Sequence, residues 1–198
     1  MFALKNGFLY RMLQFTSKLL FTAVVAVFGP MAVFGQVTFV KGYIVNEKGD
    51  TLRGEVKTNP KKEHESYARV TFKDAAGAQK NYKPAKLKGY GFEGSHFISW
   101  GKDDEALFYK RLANGPIFFY KSAFEVVAMN KSTWEYDYFL FKEGDKKMTD
   151  AKIGKFAKQL KEWMKDAQEF AEYYKENSKD IDEASAIEAI TKYNDSKK

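Results

Sequence analysis

Apolar and polar residues alternate through the middle of the chain, then change to a three-and-four spacing near its end. The alternation is clearest from Gly42 to Val56, GYIVNEKGDTLRGEV. Leu52, Gly54 and Val56 interleave with Arg53, Glu55 and Lys57, the period-two pattern of a half-buried strand. Glu47-Lys48-Gly49-Asp50 reads as the hairpin loop between two strands. Gly49 is free to take the positive φ such a loop needs, and Asp50 suits the turn exit. The pattern predicts strands over 37–45 and 51–58, closed by Asn59-Pro60, and then a charged connector over 61–65.

Further strands are expected over 67–73, 79–82, 87–92, 96–100, 106–112, 117–120, 124–129 and 133–141. Ala75-Ala76-Gly77, Glu93-Gly94-Ser95 and Asn114-Gly115-Pro116 punctuate them as turns, and Lys83-Pro84 ends the short polar strand at 79–82. The last strand places Trp134, Tyr136, Tyr138 and Leu140 on one face, with Glu135 and Asp137 on the wet one. After Glu143-Gly144-Asp145 the period changes. Thr149 or Asp150 is expected to cap a helix whose stripe is Ile153, Phe156, Leu160, Trp163, Ala167, Phe170 and Tyr174. Asn177-Ser178 breaks it. Ser178 or Asp180 is expected to cap a second helix lined by Ile181, Ala184, Ile187, Ile190 and Tyr193, ending at Asn194. The expected class is α+β: an antiparallel β-sandwich or a curved sheet or partial barrel, followed by two amphipathic helices packed on it.

The segment before this pattern has another character. Lys5, Arg11 and Lys18 form a basic leader, an apolar run follows to Phe28, and Val33 and Gly35 supply a small-residue cleavage site before Gln36. That order is a secretory signal peptide over 1–35. Gly29-Pro30 interrupts the apolar run, against an uncleaved membrane anchor. The expected mature protein is one domain over 36–198, β-rich to 145 and helical from 146, with no stable membrane span. It is expected to be exported, and periplasmic rather than extracellular, because no β-rich sorting domain is recognised at the C-terminus.

Composition narrows the chemistry. With no cysteine there is no lipobox, disulfide, thiolate metal site or thiol nucleophile. Without the three basic residues of the leader, 30 Lys and Arg remain from the 33, against 26 acids, a net charge of about +4. The lysines are interleaved with acids and arginine is scarce, so the chain lacks a nucleic-acid footprint. Of the two histidines, His64 lies in Glu63-His64-Glu65, where neighbouring residues diverge too far to ligate one metal, and it is expected in a solvated connector. His96 stands between Ser95 and Phe97, with Asp103 and Asp104 nearby in sequence; without a nucleophile elbow it is expected to be a turn or core residue. Gly89-Tyr90-Gly91 is too short for a phosphate loop and is expected to let the sheet bend or another backbone approach. No catalytic constellation, cofactor or metal site is recognised, and no enzymatic activity is expected.

Aromatic residues make up 17% of the chain, and Tyr and Trp in such excess can line a ligand cleft or a partner face as well as fill a core. Trp100, Trp134, Tyr136 and Tyr138 are the candidate ligand-binding residues. The expected function is a structural or protein-binding module of the cell envelope. The alternative is a binder of an apolar or glycan ligand in an aromatic-lined cavity.

The hairpin GYIVNEKGDTLRGEV, with the later sheet and a helical tail carrying Phe156, Leu160, Ile187 and Tyr193-Asn194, resembles small exported Bacteroidota proteins of unknown function that open on a G-D-T-x-x-G hairpin. The resemblance implies a fold and a location, not an activity. The hairpin is also similar to the first arm of carboxypeptidase-regulatory-like β-sandwich domains, but the chain lacks that family's second glycine-rich repeat and adds two helices.

Overall fold

A hairpin sits two strands in from one edge of the sheet, and the rest of the chain extends from its two flanks. In a computed structural model, residues 37–129, 131–152, 156–167 and 181–198 are described. The expected signal segment 1–35 lies outside them, as do Ile153, Phe170, Tyr174, the expected Asn177-Ser178 break and the expected caps Ser178 and Asp180. β1 (Thr38–Asn46) and β2 (Thr51–Thr58) pair in the register Ile44↔Leu52 and Val40↔Val56. Asn46 closes the loop: its side chain accepts from the Asp50 N–H at 2.9 Å and donates to the Asp50 carboxylate at 3.0 Å. Gly49 has φ +98°, the conformation the sequence required there.

From β1 the sheet grows both ways. On one side lie β2, then β3 (Val70–Lys73) and β4 (Gln79–Tyr82). On the other side come β5 (Leu87–Phe92), β6 (Ser95–Trp100), β7 (Leu107–Ala113), β8 (Ile117–Ala128), β9 (Lys131–Lys142) and β10 (Thr149–Ala151). All the pairings are antiparallel, and the ten strands form one unclosed sheet. The class is α+β, with helices α1 (Glu65–Ala68), α2 (Phe156–Trp163) and α3 (Glu183–Ser196).

Four expectations need correction. Tyr67 belongs to α1, not to a strand, and is 1% exposed beneath the sheet's inner face. Residues 117–128 form one strand where two were expected, because Ser122 and Ala123 are small and Lys121 finds carboxylate partners on the inner face. Thr149 and Asp150 do not cap a helix but lie in β10, with Thr149↔Leu140 and Ala151↔Tyr138 in register. Gln159 of α2 ties down that strand, donating to the Asp150 carbonyl at 2.7 Å and accepting from the Lys152 N–H at 3.1 Å. Finally, Asp182 caps α3, accepting from the Ser185 N–H at 2.8 Å, while Ala184 of the expected stripe is exposed. Ile181 just before the cap and Ala186 on the first turn share a buried cluster, a hydrophobic staple that fixes the entry of the chain.

The inner face carries two apolar clusters. One gathers Ile44, Val56, Tyr67, Phe72, Tyr90, Phe97 and Phe108 around β1–β7 and α1. The other packs α2 and α3 on β7–β10 through Ile117, Phe119, Leu140, Phe156, Leu160 and Ile190. Tyr136 packs against both. Glycine makes room where strands and rings crowd: a Cβ on Gly54 would stand 2.5 Å from the Phe72 ring, and one on Gly91 2.6 Å from the Tyr43 hydroxyl. Among the described residues no helix is long and apolar enough to cross a membrane.

Candidate functional site

Three of the four aromatic candidates, Trp134, Tyr136 and Tyr138, lie on one face of β9, as the alternation required. Trp100 is on the opposite face, 36% exposed, with its ring edge-on to Phe141 at 5.6 Å. The four therefore do not form one site.

Of the inner three, Trp134 meets the connector that was expected in solvent, Tyr136 meets α1 just after it, and Tyr138 meets α3. The His64 imidazole stacks on Trp134 at 4.2 Å, and Tyr67 packs edge-on to Tyr136 at 6.1 Å. Between the two apolar clusters, Lys110 donates to Glu63 at 2.7 Å. Lys121 reaches Glu183 at 3.1 Å and Glu63 at 4.0 Å, and its ammonium lies 4.2 Å from the centre of the Tyr136 ring. The Tyr138 hydroxyl donates to Glu183 at 2.6 Å, and that of Tyr67 to Glu63 at 3.5 Å.

The electrostatics of this belt follow from its partners. Burial alone would raise the Glu63 carboxyl, but the hydrogen bond and charge of Lys110, the charge of Lys121 and the Tyr67 hydroxyl outweigh it and hold it below 4.5. Burial, then the charge of Glu63, pushes the Tyr67 phenol up. Burial, then the hydrogen bond and charge of Glu183, does the same to Tyr138. These phenols stay protonated as donors and the carboxylates beside them act as acceptors. Such a matched set of donors and acceptors joins elements together. Sequence reasoning missed Lys110, Lys121, Glu63 and Glu183. The signal was a lysine at an inward rung: Lys110 stands two residues after buried Phe108, and Lys121 two before buried Ala123.

Ser95 lies on the inner face and His96 on the outer face, so with Asp103 or Asp104 they do not make a triad. Asp104 pairs with Lys83 at 3.6 Å, and the His96 Nδ1 lies 2.5 Å from the Tyr43 hydroxyl. Glu135 and Asp137 are exposed on the outer face, and burial together with the charges of Asp150 and Glu135 raises the Asp137 carboxyl. Among the described residues no group of three His, Asp or Glu side chains is placed to hold a metal ion.

His96 makes stability depend on pH. Burial, with the Arg111 charge adding to it, lowers the imidazole from 6.5 to about 4. The unfolded ring therefore binds its proton first as pH falls, so the stabilisation is complete above 6.5 and is lost as pH falls toward 4. Solvent screens this half-open ring, so about 1 kcal/mol is expected to be lost across that window. Thermal melts of wild type and His96→Gln at pH 7 and pH 4.5 check it. The wild type should lose more than the variant, and parallel losses would refute the assignment. Glu63 acts lower, its contribution being lost only as pH falls through its depressed value.

Comparison with known proteins finds no matching family model, no matching curated protein and no matching solved structure.

Proposed function

We propose that this chain is a non-catalytic, exported domain of the cell envelope, periplasmic in location and of the Bacteroidota type its hairpin resembles, that docks a protein partner through the β8–β9 ribbon. One observation carries the reading. Continuing the Lys110↔Lys121 register places the start of β7 opposite Phe124, and β10 pairs with β9 only over Tyr138 to Leu140. The outer part of the ribbon is therefore two-stranded, and it holds apolar side chains in solvent: Val127 is 71% exposed and Met129 99%, and Trp134, on the same face as Val127, is more than a third open. Exposed apolar residues gathered at one projecting end mark a contact surface. Glu125 and Glu135 outnumber Lys131 along it, which fits a protein partner better than an anionic lipid surface.

The reading of an aromatic-lined ligand cavity has less support, because His64, Lys121 and Glu183 occupy the surroundings of Trp134, Tyr136 and Tyr138. A curved sheet suits the fold better than a sandwich, because both apolar clusters lie on one face of one sheet and paired Gly42 and Gly54 permit close approach.

The test is site-specific photo-crosslinking in the native envelope, with the photoreactive residue at Met129 or, as control, at exposed Lys198. A single adduct of defined mass from position 129 alone is the expected result, and mass spectrometry then identifies the partner. Equal adducts from both positions, or co-sedimentation with anionic vesicles that Met129→Ser abolishes, would overturn it.

A further inference from the structure

An open groove of about 860 Å³ crosses the outer face, away from the ribbon, from the β3–β4 turn to β7. Along one line of neighbouring strands the pairings run Arg53↔Tyr43, Tyr43↔Gly91 and Gly91↔His96. Continuing the Phe97↔Lys110 register then places Arg111 beside His96. Only four of the chain's 33 basic residues are arginines, and two of them flank this one tyrosine–histidine pair.

The floor between them is flat. The Tyr43 and His96 ring centres lie 5.9 Å apart with 28° between their planes, their polar atoms are joined at 2.5 Å, and the Tyr43 hydroxyl rests in the space that a side chain at Gly91 would fill. With Nδ1 taken up by the Tyr43 hydroxyl, Nε2 is the ring's remaining polar atom. The positive charge comes from the two guanidiniums. None of the ion pairs among the described residues includes an arginine. Of the groove's acids, Glu55 pairs with Lys73, and Asp74 accepts from the Ala76 and Ala78 N–H groups, each at 2.9 Å. Glu93 at the β5–β6 turn and Lys41 on β1 also line the groove.

Arg53 on β2 and Arg111 on β7 are separated by four strand steps, roughly 19 Å at about 4.8 Å each. Two arginines on strands that far apart suit a ligand with two separated anionic groups. Guanidiniums recognise oxyanions in a planar, bidentate manner, and an aromatic floor suits the apolar face of a sugar ring. We propose that this groove binds an acidic oligosaccharide, with a carboxylate on Arg53, another on Arg111 and a sugar ring resting on the Tyr43–His96 floor. The site is independent of the ribbon and of whatever docks there.

Isothermal titration of the folded domain with trigalacturonate at low ionic strength tests this, with maltotriose and inorganic phosphate as comparison ligands. Trigalacturonate is expected to bind, and Arg53→Gln and Arg111→Gln are each expected to weaken it roughly tenfold. Arg69→Gln should leave binding unchanged. Arg53→Lys and Arg111→Lys keep the charge but lose the bidentate fork, and each is expected to weaken binding less than its glutamine counterpart. Absence of binding, equal binding of maltotriose or phosphate, or an affinity indifferent to both arginines would overturn the proposal.

Discussion

Asn194→Ala is expected to destabilise the fold by about 3 kcal/mol, a larger loss than at any exposed position of α3. Asn194 is 1% exposed, and its amide bridges to the main chain of Ile117 at the start of β8. Oδ1 accepts from the Ile117 N–H at 2.9 Å, and Nδ2 donates to the Ile117 carbonyl at 2.8 Å. Alanine removes both partners at once and leaves Ile117's buried polar groups without them, so the cost exceeds that of one ordinary hydrogen bond. For a domain of this size the midpoint of thermal unfolding should fall by roughly 10 °C. Asn194→Asp should also destabilise, because a carboxylate cannot donate to the carbonyl. Thr191→Ala, at an exposed position of the same helix, should change little. An Asn194→Ala loss no greater than that of Thr191→Ala would mean that the bridge does not hold α3 to the sheet. Gly115 belongs to the same lock: a Cβ there would stand 2.6 Å from the Asn194 side chain.

The second large effect is expected at Lys121, which is 9% exposed and joins Glu63 to Glu183. Lys121→Met keeps the length of the side chain and removes the charge, leaving two carboxylates near the inner face with one cation fewer. Unpairing a fully buried ion costs several kcal/mol, but both glutamates are about a third exposed, so a loss of about 2 kcal/mol is expected. Denaturant titrations of Lys121→Met, Glu183→Gln and the double variant isolate the pairwise term. A coupling of about 1 kcal/mol is expected for this contact. Strict additivity of the two single losses would show that the ion pair contributes nothing of its own.

The sequence made local order legible and left distant pairing obscure. The β1–β2 hairpin was visible because alternation, Gly49 and Asp50 agree over a few residues. The single face of Trp134, Tyr136 and Tyr138 followed from strand periodicity alone. The connector at 61–65 looked solvated because it is charged, yet Glu63 and His64 find partners on β7, β8 and β9, far along the chain. Tyr67 looked like a strand residue because it precedes Arg69, Val70 and Thr71 in an alternating run, but Ser66 and Tyr67 make a helical turn that places the ring in the core. Thr149 and Asp150 are sound helix caps by type; pairing with β9 and the bonds from Gln159 override that preference. The candidate aromatics divided for a related reason. Alternation assigns faces within one strand, but it does not say which face of β6 matches which face of β9, so Trp100 could not be placed relative to Trp134 before the strand order was known.

Among the described strands, eight of the nine pairings join neighbours in sequence, and β1 with β5 is the exception. Hairpins close on the microsecond scale because their loops are short, whereas a long-range pairing must first overcome the entropy of closing everything between. β1–β4 and β5–β10 can therefore each form hairpin by hairpin in the order of the chain, and the β1–β5 seam is expected to be the slow step. Gly42, Gly89 and Gly91 stand at that seam. Each glycine there faces a larger residue, Phe92, Val45 or Tyr43, so fewer side chains must interlock as two pre-formed meanders come into register. The glycines that shape the native sheet are expected also to ease the slowest search in reaching it.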